Sequence, residues 1–289
     1  MSIDARLAYD VWLQLIADEE LYRAMLEGTH PALAASRELD ADKLAVLDAF
    51  RAEKGTRWNI ENLRFRSALE AGDTLNSYLP RTMRLLTNGD ENWLQDICFE
   101  YLSFYRWKEH GHYRFAECER FATYVRDRIM KRRVTPPHLE VALDFELGVV
   151  RLLKRTAQIA PEQWPVPPVL TDAQLAQASV RRAHAVALID LPVDIRDWVE
   201  YADLSRGAVR PEPVTFLVYV PSLAHVHRIK ILGEGPRIVL ERFAGDRRCA
   251  AVAAELEAEL GLEPAEVLGL VRTWLDERVL EVASIGPSA

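Results

Sequence analysis

Thr215-Phe-Leu-Val-Tyr-Val220 and Val226-His-Arg-Ile-Lys-Ile-Leu232 are two short runs rich in β-branched and aromatic residues. In the second run His227, Ile229 and Ile231 alternate with Arg228 and Lys230, the period of a strand with one face buried. A third run of the same kind, His184-Ala-Val-Ala-Leu-Ile-Asp190, precedes them, separated by a turn or helical segment from Pro192 to Trp198 and a polar loop to Pro213. Helical patterns follow near 234–243, 249–260 and 264–277. Cys249, Val252, Ala253, Leu256 and Leu260 form an apolar stripe closed by Gly261, and Pro264 opens the last helix. Strands followed by three helices predict a winged-helix module, a small antiparallel sheet backed by helices, which binds something linear: a nucleic acid or a peptide.

Working toward the N-terminus, Thr171 and Asp172 are placed to cap a short helix. Pro161-Glu-Gln-Trp-Pro-Val-Pro-Pro168 cannot continue a helix and reads as a linker, too short and too apolar for a loose tether. Residues 1–160 read as helices throughout, near 5–27, 41–53, 59–71 and 74–87, with Pro80 kinking the last or starting a new one. Leu94, Ile97, Cys98, Tyr101, Leu102 and Tyr105 recur at helical spacing, as do Phe115, Cys118, Phe121, Ala122, Val125 and Ile129. Thr135-Pro136-Pro137 starts a further helix through Leu139, Leu143, Leu147 and Val150. The expected organisation is an α+β chain: an all-helical N-terminal domain over 1–160, a Pro-rich linker over 161–170, and a winged-helix domain over 171–289. That domain is expected to hold a three-stranded antiparallel sheet and three helices.

The 289 residues suffice for two domains, with 49% hydrophobic and 28% charged residues. No apolar run approaches the ~20 residues of a membrane span, and the acidic start lacks the pattern of a secretory signal. The chain is expected to be cytoplasmic. Its three cysteines, Cys98, Cys118 and Cys249, form no CxxC pair and read as buried free thiols.

Catalytic constellations do not emerge. His110-Gly-His112 is half of a metal site at best; His138 or Cys118 would have to complete it, nothing in the spacing requires that, and the pair reads as an ordinary polar interhelical loop. His225 and His227 point to opposite sides of their segment. No glycine-rich phosphate cradle and no nucleophile elbow is present. Glu117, Glu119, Glu140, Asp144 and Glu146 lack the Glu-x-x-His spacing of carboxylate-bridged iron. Arg126, Arg128, Lys131, Arg132 and Arg133 fall at a helix end, where the helix dipole favours cations, and read as a solvated helix end or a patch for an acidic partner.

Charge separates the two linear ligands. Net charge is -8, and the last two helices carry Glu255, Glu257, Glu259, Glu266, Asp276 and Glu277 against Arg272 and Arg278. Such a surface repels a phosphate backbone, whose binding rests on Lys and Arg. A peptide can instead add itself to an exposed sheet edge and have alternate side chains read by a neighbouring helix. The residues expected to do this are Arg228, Ile229, Lys230 and Ile231 on the strand and Val267, Val271, Arg272 and Trp274 on the last helix; any one of the apolar ones equally fits an ordinary core position.

Leu188-Ile-Asp-Leu-Pro-Val-Asp-Ile-Arg-Asp-Trp198, the two strands that follow, and the Arg237–Gly245 helix together resemble partner proteins of multinuclear non-haem iron peptide oxidases, found in methanobactin and 3-thiaglutamate biosynthesis. Leu79-Pro-Arg-Thr-Met-Arg-Leu-Leu86, the helix containing Trp93, and Pro137-His-Leu-Glu-Val-Ala-Leu-Asp-Phe-Glu146 are similar to their helical half. Gly245-Asp-Arg-Arg followed by an Ala-rich helix and Gly-Leu-Glu-Pro-Ala-Glu-Val267 is similar to a PqqD-like recognition element, with Arg248-Cys249-Ala250 departing from the usual Thr-Val-Ala entry. The resemblance implies that a separate TIM-barrel subunit holds the iron and oxidises a cysteine of a ribosomally made precursor peptide. This chain would hold no cofactor, bind that subunit through its helical domain, and capture the peptide's leader. Nucleic acid and membrane are not expected partners.

Overall fold

A computed structural model describes residues 4–88, 90, 92–107, 114–131, 135–164, 166–200, 207–222 and 226–285. The chain forms two compact units, Met1–Leu139 and Glu140–Ala289. It is a mixed α+β protein: helices make up most of the first half, and two small three-stranded antiparallel sheets with helices make up the C-terminal part.

The first unit holds α1 (Ala5–Ala17), α2 (Glu19–Glu27), α3 (Ala41–Ala52), α4 (Thr56–Tyr78), α5 (Pro80–Thr87), α6 (Asn92–Phe104) and α7 (Arg114–Tyr124). The expected helix over 5–27 is two helices, because Asp18 both ends α1 and caps α2, its carboxylate accepting the Leu21 N–H at 3.0 Å. The chain is unbroken from Thr56 to Tyr78, and the break falls at Leu79, where Pro80 starts α5. Val11, Leu15, Leu21, Met25, Leu47 and Ile60 bring α1 to α4 around one core. Tyr101, Phe121 and Tyr124 form a second cluster of edge-to-face and tilted rings. Past α7 the hydrogen bonds of Val125–Ile129 widen by one residue, the Met130 N–H reaching the Val125 carbonyl at 2.9 Å; Val125 and Ile129 still face inward.

The second unit opens with α8 (Leu139–Thr156), all but its first residue. Two expectations change here. The helix begins at Leu139 rather than at Pro136, since Thr135 and Pro136 each precede a proline and are turned away from helical dihedrals. The division between units lies at Leu139/Glu140 rather than in the Pro161–Pro168 segment, because α8 packs on the C-terminal sheet. Phe145 meets Phe216 with ring centroids 5.1 Å apart, and Arg155 donates to the His184 and Val186 carbonyls at 2.8 and 2.7 Å. A Cβ on Gly148 would lie 2.5 Å from Ile189 Cδ1, so the helix comes close because glycine stands there.

After α8 come α9 (Asp172–Gln177), β1 (Ala178–Arg182), β2 (Val186–Leu191), α10 (Arg196–Glu200), β3 (Val214–Tyr219), β4 (Arg228–Leu232), α11 (Glu234–Arg242), β5 (Arg247–Arg248), α12 (Cys249–Leu260), α13 (Pro264–Asp276) and β6 (Leu280–Ile285). The three expected strands form one sheet, ordered β2-β3-β4. The expectation of a single sheet is corrected by a second, β5-β1-β6, in which Val180 opposes Val282 and Arg182 opposes Leu280. Only residues 183–185 separate the sheets: the Ala183 N–H donates to the Val279 carbonyl at 3.0 Å, and the Ala185 carbonyl accepts the Val220 N–H at 3.0 Å. Val180, Leu217, Tyr219, Leu240, Phe243, Val252, Leu256, Val271 and Trp274 share one core, so both sheets and α11 to α13 bury their apolar faces together. Thr171 and Gln174 complete a capping box on α9, and Gly261 ends α12 at φ 68°.

Asp194, 1% exposed, holds the chain after β2 in place. Its carboxylate accepts the Arg196 N–H at 2.8 Å and is paired with the Arg196 and Arg210 guanidiniums. Burial works against the charge, but those bonds outweigh it and hold the acid below its ordinary range.

Candidate peptide-binding edge

Strand β3 is buried along its whole length. Both of its neighbours are in place, β2 opposite from Val186↔Tyr219 to Leu191↔Val214, and β4 from Tyr219↔Arg228 to Thr215↔Leu232. Among the described residues β4 pairs only with β3, so its outer side carries backbone N–H and C=O groups with no ladder partner. Its exposure also suits an edge: Arg228, Lys230 and Ile231 are exposed, while Ile229 and Leu232 are partly covered.

The pleat assigns each side chain of β4 to a face. Arg228, Lys230 and Leu232 stand opposite Tyr219, Leu217 and Thr215, and Leu217 and Tyr219 belong to the core made with α11 to α13. Ile229 and Ile231 stand opposite Val218 and Phe216, and Phe216 packs on Phe145 of α8. The sheet is therefore covered by helices on both faces, and the edge has two chemically different sides. Toward α8 it is aliphatic, with Ile231 43% exposed. Toward α13 it is cationic.

Lys230 ties that side to the end of α13. Its Nζ hydrogen-bonds the Glu277 carboxylate and lies 5.9 Å from the centre of the Tyr219 ring. Partial burial disfavours the ammonium, but the hydrogen bond to Glu277 outweighs it and the lysine titrates above its ordinary value. In the sequence Glu277 stands only as one more negative charge. A cation two positions into an edge strand and an acid just past the final helix are the signal that pairs them.

The expected peptide-binding residues divide three ways. Arg228, Ile229, Lys230 and Ile231 line the open edge, with the isoleucines on the face away from α13. Val267, Val271 and Trp274 do not line it. They are 2%, 0% and 4% exposed in the core, because the stripe at this spacing is the one that fastens α13 to the sheets. Arg272 is committed elsewhere, donating to the Leu170 carbonyl at 2.9 Å and to Asp172 at 2.6 Å. The groove inferred between β4 isoleucines and α13 valines is thus excluded by strand parity and by burial.

Other candidates take structural places. Cys98, Cys118 and Cys249 are buried and form no disulfide; burial pushes the Cys98 thiol up to about 12, with help from Glu117 and Asp73, and the Cys249 thiol to about 11. Glu117 accepts the Tyr101 hydroxyl at 2.6 Å and is raised by its burial. Arg128 lies over the Phe104 ring at 4.5 Å and Lys131 pairs with Asp127 at 3.6 Å. His110, His112, His225, Arg132 and Arg133 lie outside the described residues, as do the side chains of Trp93 and Leu94. Among the described residues no three potential ligands converge as a metal site, and no helix is long and apolar enough to cross a membrane. No protein-family model and no curated protein matches this sequence.

Proposed function

We propose that this chain is the non-catalytic, leader-binding subunit of a ribosomal-peptide maturation complex, and that it presents a precursor's cysteine to an iron-dependent barrel oxidase. The observation that carries the reading is the unpaired outer side of β4, with aliphatic side chains on one face and Arg228 and Lys230 on the other. In this reading β2-β3-β4 and α11 to α13 are a PqqD-like winged-helix module, to which the second sheet is an addition. A leader segment adds as a fourth strand beyond β4, its backbone completing the ladder. Strand parity then sets its sequence character. Residues facing α8 are apolar and rest beside Ile229 and Ile231; those facing α13 are acidic and meet Arg228, with Lys230 shared with Glu277 beside it.

The contribution to catalysis is one of concentration and register. Tethering the leader makes the core cysteine a near-intramolecular reactant of the oxidase, so a micromolar leader affinity, about 8 kcal/mol, is sufficient. The helical unit is proposed as the oxidase-docking part, and the iron resides in the partner.

The test is co-expression with a neighbouring barrel protein and a candidate precursor, followed by co-purification, an iron assay and leader titration. Wild type is expected to retain both, and Ile231→Pro, which removes one outward-facing N–H of β4, to lose leader affinity while keeping the oxidase. Leader affinity unchanged by that substitution would rule out strand addition at β4.

A further inference from the structure

A cleft of about 600 Å³ opens between α2, α4 and α6 in the first unit, a size typical of ligand sites. Its floor is Arg64, 5% exposed. The guanidinium is saturated by the Leu15 carbonyl at 3.0 Å, the Ile16 carbonyl at 2.9 Å, and the Glu19 carboxylate, and it lies 4.8 and 5.4 Å from the Tyr22 and Trp107 ring centres. One cation is already held between two rings here, and its charge is spent inward.

The walls have not been filled in the same way. Trp58 and Phe65, seven residues apart and so on one face of α4, are 66% and 41% exposed in the cleft. Glu61 stands between them in sequence, half exposed, accepting the Tyr22 hydroxyl at 3.2 Å and paired with Arg57 at 2.9 Å. That ion pair, between exposed side chains one helical turn apart, is cheap to exchange. An adjoining groove of about 430 Å³ shares Glu19 and adds Glu20, Glu27 and Arg23. Across both, the lining carboxylates Glu19, Glu20, Glu27 and Glu61 meet Arg23 and Arg64 in the lining and Arg37 and Arg57 beside it, which pair with Glu20 and Glu61.

We infer that this cleft receives an arginine or lysine side chain of a partner polypeptide, stacked on Trp58 and Phe65 and paired with Glu61. Ring faces carry negative electrostatic potential and attract a cation most strongly when it is partly desolvated, as between two walls of a cleft. Arginine beside exposed tryptophan is a recurrent centre of protein interfaces. This site is separate from β4 and does not depend on the leader-binding reading.

The experiment uses the full chain labelled with 5-fluorotryptophan, the Trp58 fluorine resonance being assigned with Trp58→Phe. The probes are acetyl-leucyl-arginyl-leucinamide and its citrulline analogue, which keeps the shape and loses the charge. A saturable shift of the Trp58 line is expected with the arginine peptide. Binding should be weaker by about threefold to thirtyfold with citrulline, and weaker again for Glu61→Gln, while Ile231→Asp on β4 leaves it unchanged. An equal response to the two peptides, or a Trp58 line that does not move, would overturn the assignment. Unshifted lines from Trp12, Trp198 and Trp274, which lie outside the cleft, show in each variant that the fold is intact.

Discussion

Phe145 of α8 stands edge-on to Phe216 of the central strand, ring centroids 5.1 Å apart and planes at 63°, on the face of the sheet away from α11 to α13. Covering that face is the work of α8, so the helix belongs to the C-terminal folding unit although it precedes the proline-rich segment. A fragment beginning at Thr135 is expected to fold, and one beginning at Pro161 to aggregate with Phe216, Val218 and Ile189 bare. Circular dichroism and gel filtration of the two fragments decide the matter. Phe145→Ala in the whole chain should cost about 3 to 5 kcal/mol in denaturant unfolding.

Ile231 and Val271 are both aliphatic residues whose spacing suits one peptide groove, yet one is 43% exposed and the other 0%. Ile231→Asp should lower leader affinity by about tenfold or more and leave the unfolding midpoint almost unchanged. Val271→Asp places a carboxylate in the core and should destabilise the unit by several kcal/mol, about 3 or more, so that soluble protein is scarce. Thermal melts beside leader titrations separate the two. Equal destabilisation by both would mean that β4 is not an open edge.

Gly148 and Ile189 form a contact that a double-mutant cycle can read. Gly148→Ala improves helix propensity by about 1 kcal/mol but drives a methyl group into Ile189 Cδ1. The net expectation is a loss of about 1 kcal/mol from overpacking. In an Ile189→Ala background, where Cδ1 at 2.5 Å and Cγ1 at 2.9 Å are both gone, the same Gly148→Ala should become neutral or stabilising. Additive effects in urea unfolding would show that the helix does not approach the sheet at this point.

The buried thiols give an alkaline signature. Cys98 and Cys249 titrate near 12 and 11 in the fold because burial penalises the thiolate, against about 9 for a free thiol. A folded value above the unfolded one means that the folded chain holds its proton longer. The associated stability is complete below pH 9 and is lost as pH climbs through 11 to 12. The unfolding midpoint of wild type should therefore fall more steeply above pH 9 than that of Cys98→Ala/Cys249→Ala. Reaction with a thiol reagent at pH 8 should be slow and set by opening of the fold.

The sequence made β2, β3, β4 and α11 to α13 legible for local reasons. Alternation in Val226–Leu232, the stripe from Cys249 to Leu256, and the Gly261 and Pro264 boundaries act over a few residues and survive folding unchanged. Strand β1 was hidden, since Ala-Ser-Val-Arg-Arg carries little alternation and its partner β6 lies about a hundred residues onward. The true unit boundary was hidden because a proline run looks like a hinge whether or not the preceding helix packs past it. The edge position of β4 was readable and the burial of the α13 residues was not. A valine–valine–tryptophan stripe has the same spacing whether it faces a groove or a core, and which face Ile229 takes depends on where the helices sit.

Residues 183–185 hand the backbone directly from one sheet to the other, with a hydrogen bond at each end of the crossing. Amide protons on either side of it, such as those of Val180 and Val218, should then share a single opening energy in deuterium exchange. Occupancy of the β4 margin would slow exchange as far away as β6, giving a label-free readout of ligand capture on strands the ligand never touches.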